Sequence, residues 1–357
     1  MALRVALVGG PMYDGLYSML PASTEVVVRA DHPTLNRSVA AALEAGERLD
    51  VISTHSKYAP SQARWLTPLD PALASEQAPR AVELCSFRGS LLCVPRNVDV
   101  RVLWVRRDRV TEPPRTWAEL LASTAVFGFT GRESGAFGTF FEYVAAHGGD
   151  VFDGDLHPTL DTPLGREAVE ALCTLARRAP GPLAEWHYDE VDAALARGDL
   201  DISATWPGGY EALRASAAYP HLEAHTYLAG PAGLRSYSGC HGWAIPRTCG
   251  DVRGAQELVE QLSSFDAHAR DAASGTVCSH VAAFAAVHPV DATDARRLDV
   301  IRTTIAEGMI TYPPLAHFPA IEDAAWTSIS AALRGELRPD EATARMQASA
   351  EAASPGD

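Results

Sequence analysis

Strand-like and helix-like patterns alternate along this chain. "RVALVG" (Arg4–Gly9), "EVVVRA" (Glu25–Ala30) and "LDVIST" (Leu49–Thr54) are short runs rich in β-branched residues, which predict strands. A weakly helical segment, Tyr13 to Leu20, separates the first two. "TLNRSVAAALEAG" (Thr34–Gly46) carries apolar residues at helical spacing and ends in glycine, a common C-terminal stop. Arg88-Gly89 predicts a hairpin turn, and Val100–Asp108 is a strong strand pattern. Thr116 and Glu119 stand at capping-box spacing at the start of a helix. "AVFGFTG" predicts a strand running into a polar glycine loop, followed by three helical stretches, "GTFFEYVAAHGG", "TPLGREAVEALCTLARRA" and "YDEVDAALARGD". An apolar run, Ile202–Thr205, then stops at Trp206, and Leu222–Leu228 is β-rich. From Asp251 onward the pattern is mostly helical, broken by "SGTVCSH" and Pro313-Pro314.

Alternation of this kind predicts an α/β architecture. No internal repeat or low-complexity linker appears, so two domains, if present, are joined by a chain that crosses more than once.

Open α/β sheets bind ligands beyond the carboxyl ends of their strands, so the strand tips hold the candidate chemistry. After Ile52 comes "STHSKYAPSQ", after Phe129 "TGRESGAFGT", and after Ala204 "TWPGGY". "PRNVD" precedes the strand at Val100, and "SYSGCHGW" surrounds Gly239. These tips are rich in hydroxyls, amides, aromatics and glycines, which suits a hydroxyl-rich ligand with faces to stack on. Trp206 offers a ring face, and Gly208-Gly209 leave the next helix's N-terminal amides accessible. The residues alone equally allow Trp206 to plug a domain interior. Tyr13 and Asp14 are either ligand contacts or solvated loop residues, and Asn97 and Asp99 either ligand contacts or turn caps. Trp65, Trp104, Trp117 and Trp326 sit in apolar patterns and are expected in the core or on domain surfaces.

Composition narrows the partners. The chain has 357 residues, 47% hydrophobic, enough for two domains with proper cores. Its formal charge is −15 without a clustered basic patch, which argues against nucleic acid. No apolar stretch reaches the roughly 20 residues that span a bilayer, so membrane insertion is not expected. The opening "MALRVALVGG" reads as a strand rather than a secretory signal. The expected compartment is extracytoplasmic (periplasm or cell surface) if a signal has been removed, and cytoplasmic if Met1 is the native start. Six cysteines include no CxxC pair, and no metal or cofactor motif is present. Cys85 and Cys93 flank the Arg88-Gly89 turn and are candidates to lie opposite each other, although buried free thiols are the plainer reading. Cys240 and His241 suggest a nucleophile and base, but neighbours on a strand point to opposite faces.

Five stretches, "DVISTHSKYAPSQARWLTPLD", "VPRNVDVRVLWVRRD", "TWAELL", "ARGDLDISATWPGGYEAL" and "GWAIPRT", in this order and spacing, resemble extracellular solute-binding proteins of the carbohydrate-binding, maltose-binding-like kind (family 1). The resemblance runs from Val5 to about Ala350. It implies a two-lobe periplasmic-binding-protein-like α/β fold (type II) with a ligand cleft between lobes that close about a hinge. The implied N-terminal lobe is residues 1–105 plus about 240–305, and the C-terminal lobe 106–239 plus about 306–357. Crossovers are implied near 97–108, 236–246 and 300–315. The ligand-binding residues it implies are His55, Lys57, Tyr58, Asn97, Asp99, Arg132, Glu133, Ser134, Trp206, Tyr237, His241 and Trp243, with Trp206 stacking on a sugar ring; the strand tips themselves add Tyr13, Asp14, Gly208 and Tyr210 as candidates.

On this reading the protein captures a carbohydrate for an ABC permease, as a monomer, without cofactor, metal or catalysis. His55, Lys57, Arg132 and His241 make the implied site cationic, which points to an anionic sugar derivative. The alternatives are a cytoplasmic enzyme on the same scaffold, using His55, Cys240 or His241, and a cytoplasmic sugar sensor. The enzyme reading lacks any HExxH, GxSxG, P-loop or GxGxxG signature.

Overall fold

The computed structural model describes residues 2–10 and 13–354. It forms two compact units. One comprises residues up to Asp99, Gly239–Val287 and Tyr312–Phe318; the other Val100–Ser238, His288–Thr311 and the chain from Pro319 onward.

The first unit is built on a five-stranded sheet in the order Thr24–Ala30, Leu3–Val8, Val51–His55, Gly239–Ala244, Val94–Asp99. The first three strands are parallel, and Gly239–Ala244 runs antiparallel to both its neighbours. The right to sit in the middle of such a sheet is written in burial: Val51–His55 and Gly239–Ala244 are buried along their whole length. The crossover helix covers His32–Glu44, two residues earlier at each end than the apolar spacing suggested. Its start is fixed by Asp31, whose side chain accepts from the Thr34 amide at 3.0 Å, with Pro33 in the first turn. Leu35, Val39 and Leu43 form its buried stripe.

The expected hairpin at Arg88-Gly89 is present between Ser86–Phe87 and Ser90–Leu91. Arg88 and Gly89 have φ of 50° and 77°, the two left-handed residues of a type I′ turn. Backbone register puts Leu92 rather than Cys93 opposite Cys85: the Leu92 amide bonds to the Cys85 carbonyl at 3.0 Å. The Cys85 thiol still lies beside that of Cys93, and 3.6 Å from that of Cys240. All six cysteines are free thiols.

The second unit has a four-stranded sheet in the order Leu222–His225, Val102–Arg106, Ile202–Thr205, Phe127–Gly128. Trp104 and Trp117 are fully buried in it, as their patterns predicted. Trp65 and Trp326 are only half-buried. Thr116 and Glu119 form the expected capping box on Trp117–Ala122. Glu133–Ala146 is buried almost all round, with an apolar sequence to match. The helix Ala292–Thr303 packs on the strand Leu222–His225 and so belongs to this unit. The sequence had placed residues to about 305 in the other unit, because helical periodicity does not say which sheet a helix covers. No helix among the described residues is long and apolar enough to cross a membrane.

Candidate functional site

Strand register assembles one group of polar residues in the first unit. His241 is the direct cross-strand partner of His55 on one side and of Asn97 on the other. Directly opposed residues share a face of the sheet, and Asp99, two residues beyond Asn97, shares it too. His241 Nε2 lies 2.9 Å from Asp99 Oδ2, and His55 Nε2 lies 3.6 Å from the same oxygen. Asn97 Nδ2 donates to Asp99 Oδ1 at 2.7 Å. His32, at the first turn of its helix, places Nε2 2.7 Å from His241 Nδ1. Tyr58 packs beside His32 and His55, and the Lys57 ammonium lies 4.8 Å from the centre of the Tyr58 ring.

Burial dominates the electrostatics here. It holds the His55 imidazole down at about 3, against the pull of Asp99, and holds His32 well below its usual range. Burial also opposes ionisation of Asp99, but His241 and His55 more than compensate and keep its carboxyl well below the usual carboxylate range. Gly239 makes this packing possible: a Cβ there would stand 2.2 Å from His55 Cε1 and 2.4 Å from Nε2.

Cys240 points the other way, toward Cys85, while His241 faces Asp99. The strand's alternation therefore separates thiol from imidazole, and no nucleophile–base pair forms.

In the second unit, Trp206 ends the strand Ile202–Thr205 and is half-buried. The Arg101 guanidinium carbon lies 4.9 Å from its ring centre, and Tyr188 and Tyr237 meet it edge-on at 6.0 and 5.8 Å. Arg101 is fully buried and pairs with Glu142 at 3.2 Å, while Glu142 also accepts from the Tyr237 amide at 2.9 Å. Burial pushes the Glu142 carboxyl up to about 7 although Arg101 pulls it down. Gly208 and Gly209 follow Trp206 in a short 3-10 turn. A Cβ on Gly209 would stand 2.1 Å from Asp192 Oδ2. Burial, with Asp189 adding to it, pushes the Asp192 carboxyl up to about 8.

Arg132 ends the glycine loop as the N-cap of Glu133–Ala146, and Glu133 and Ser134 open that helix. Glu133 has φ of 55°, a left-handed backbone that non-glycine residues seldom adopt. Its carboxylate lies 3.4 Å from His187 Nε2, and Ser134 Oγ lies 3.1 Å from the Tyr188 hydroxyl. Arg132 Nε is buried and has no hydrogen-bond partner among the described residues.

Four expected ligand contacts are committed elsewhere in their own units. Tyr13 is buried with its ring 4.3 Å from the guanidinium carbon of Arg96. Trp243 is fully buried, on the strand between two others. Tyr210 is buried, stacked on Trp104 at 6.3 Å and covered by Arg297 at 3.8 Å. Asp14 is exposed and pairs with Arg29. A strand tip shows where a side chain begins, not which way it turns. Conversely, the sequence reading passed over His32, Arg101, Glu142, Tyr188 and Asp192. Glu142 had a legible signal, a lone carboxylate inside the apolar run "GTFFEYVAA". His32 follows a strand tip that was not read for chemistry.

No family model matches the chain. Solved structures do. Maltose-bound MalE3 of T. maritima aligns with a TM-score of 0.87 at 19% identity, covering 98% of this chain and 99% of that one. An ABC transporter solute-binding protein from Agrobacterium radiobacter K84, in complex with ribitol, aligns at 0.85 with 18% identity and 98% coverage of both chains. One from Thermotoga lettingae TMO, bound with α-D-tagatose, aligns at 0.83 with 19% identity, covering 98% of this chain and 99% of that one. The chain thus has the α/β fold of these solute-binding proteins along nearly its whole length.

Proposed function

We propose that this protein is a solute-binding protein that captures a carbohydrate or sugar derivative and presents it to an ABC permease outside the cytoplasmic membrane. The observation that carries the reading is the Trp206 cluster, in a fold that sugar- and polyol-bound proteins share. An indole held by Arg101 and edged by Tyr188 and Tyr237 is a rigid platform of the kind that receives the apolar face of a sugar ring. Asp192, on the helix Tyr188–Arg197 and against Gly209, and Arg132, at the end of the glycine loop before Glu133–Ala146, supply polar groups for hydroxyl or carboxylate groups. The first unit carries a polar group of its own, His55, Lys57, Tyr58, Asn97, Asp99 and His241. Each unit thus has a cation among its candidate contacts, Lys57 in the first and Arg132 in the second, and either favours an anionic sugar derivative through charge-assisted hydrogen bonds.

Recognition of this kind needs no bond-making group. The face-by-face separation of Cys240 from His241 also speaks against the one nucleophile–base pair that the sequence suggested.

The test is calorimetry and thermal shift on the full chain, in EDTA, against sugars, polyols, sugar acids and sugar phosphates. A ligand that binds the native state raises its stability by about 2.7 kcal/mol at a hundred times Kd. One class should bind and be recovered unchanged. A ligand that is consumed, or silence over the whole panel, would overturn the reading.

A further inference from the structure

The imidazole–carboxylate group of the first unit has the chemistry of a metal site. His55, Asp99 and His241 each offer one ligand atom, and these lie within 4.8 Å of one another. Nitrogen and oxygen ligands on one tetrahedral ion, at bonds of about 2.1 Å, stand about 3.4 Å apart. The distances from Asp99 Oδ2 to the two Nε2 atoms, 3.6 and 2.9 Å, bracket that spacing. Little movement is needed to admit an ion.

The surroundings supply the outer contacts that metal ligands use. His32 Nε2 stands against His241 Nδ1, so it can accept the Nδ1 proton and leave Nε2 with its lone pair toward Asp99. Asn97 holds the other oxygen of Asp99. Among the described residues, the ring nitrogens within ion-pair distance of this carboxylate are those of the two imidazoles. Two groups work against an ion. Lys57 adds positive charge near His32 and His55, and its backbone amide donates to His55 Nδ1 at 3.2 Å. The latter contact must be given up when Nδ1 carries the proton.

We infer that His55, His241 and Asp99 bind a divalent first-row transition ion of the zinc class, with His32 and Asn97 as positioning residues. The protons now directed from the two Nε2 atoms toward Asp99 move to Nδ1 or to solvent as the ion binds. Two imidazoles and one carboxylate leave a coordination position of a tetrahedral ion open, which water or a ligand oxygen fills. A second cluster, Asp153, Asp155 and His157, lies on the exposed surface of the other unit. Its Asp153 Oδ1 already accepts the amides of Asp155 and His157, both at 2.9 Å, so it is a turn and serves as the control.

The experiment titrates the EDTA-stripped, dialysed full chain with zinc chloride and cobalt chloride, without sugar, by calorimetry and thermal shift. One ion per chain is expected, with a raised melting temperature. His241→Asn and Asp99→Asn should weaken zinc binding at least 100-fold, His32→Gln about 10- to 100-fold, and Asp153→Asn not at all. X-ray absorption of the zinc-loaded wild type should show two imidazoles in the first shell, a readout that stands even if a variant fails to fold. No zinc binding, binding that survives both first variants, loss with Asp153→Asn, or a first shell without imidazole would overturn the inference. It shares residues with the proposed sugar site but needs no sugar, and the sugar assays run in EDTA, so the two readings fail separately.

Discussion

His55 and His241 are direct cross-strand partners, and their Nε2 atoms face a single oxygen, Oδ2 of Asp99. Nothing in the chain order foretells this, since the three residues come from strands far apart in sequence. It follows from register. Once Gly239–Ala244 pairs antiparallel with both Val51–His55 and Val94–Asp99, position 241 has no choice of neighbours.

Gly239 is the residue on which that arrangement depends. Gly239→Ala should push the His55 ring off Asp99, since the ring is hemmed in by His32, Tyr58 and His241. The expected cost is about 1–3 kcal/mol, with the fold retained. Histidine ring signals in NMR spectra check it; unchanged His55 and His241 signals would show that the glycine is not needed.

Trp206→Ala should weaken sugar binding at least tenfold, about 1.4 kcal/mol. The melting curve should stay cooperative because Arg101 keeps Glu142 as its partner. Calorimetry with the ligand found in the panel decides. Affinity within twofold of wild type would remove Trp206 from the site.

Arg96 and Asp271 form a buried pair with two parallel bonds, at 2.9 and 2.8 Å, and Tyr13 lies against the guanidinium. Neutralising one partner leaves the other charge stranded. Asp271→Asn should therefore cost about 3–5 kcal/mol, read from urea denaturation. A loss below 1 kcal/mol would mean that solvent reaches Arg96 after all.

His268 gives the first unit a pH dependence. Its ring is buried, with neither nitrogen hydrogen-bonded among the described residues, and burial, helped by His280 and Arg96, lowers its pKa to about 3. Between about pH 3 and the ordinary histidine value of about 6.5, the unfolded chain binds a proton that the folded chain does not. Stability from this residue is thus present above about 6.5 and lost as pH falls. His268→Leu should be more acid-stable than wild type, with the gap widening from pH 7 to pH 5. A constant gap in denaturation curves would refute this.

Much of this was legible because local rules speak plainly. The Arg88-Gly89 hairpin and the Thr116–Glu119 capping box appear where turn and cap chemistry put them. The strand tips after Ile52 and Ala204 did hold clustered polar and aromatic groups. What was not legible is direction. Tyr210 begins at the tip that carries Trp206, yet turns inward to stack on Trp104. Trp243 follows His241 at the same-face spacing of a strand, yet packs wholly inside. Partners such as Arg101 and His32 are set by register and helix docking, which one sequence does not display.

The place of Gly239–Ala244 in its sheet also constrains how the protein is made. Among the described residues, Val94–Asp99 joins that sheet only through this strand. While the ribosome is still adding residues 100–238, the earlier strand has no sheet neighbour to pair with, and His55 and Asp99 have no His241. The first unit is therefore finished after most of the second has been synthesised, although it begins first. A nascent chain halted before residue 239 should expose an unpaired edge and draw on chaperones, whereas release of a few dozen more residues should let it close.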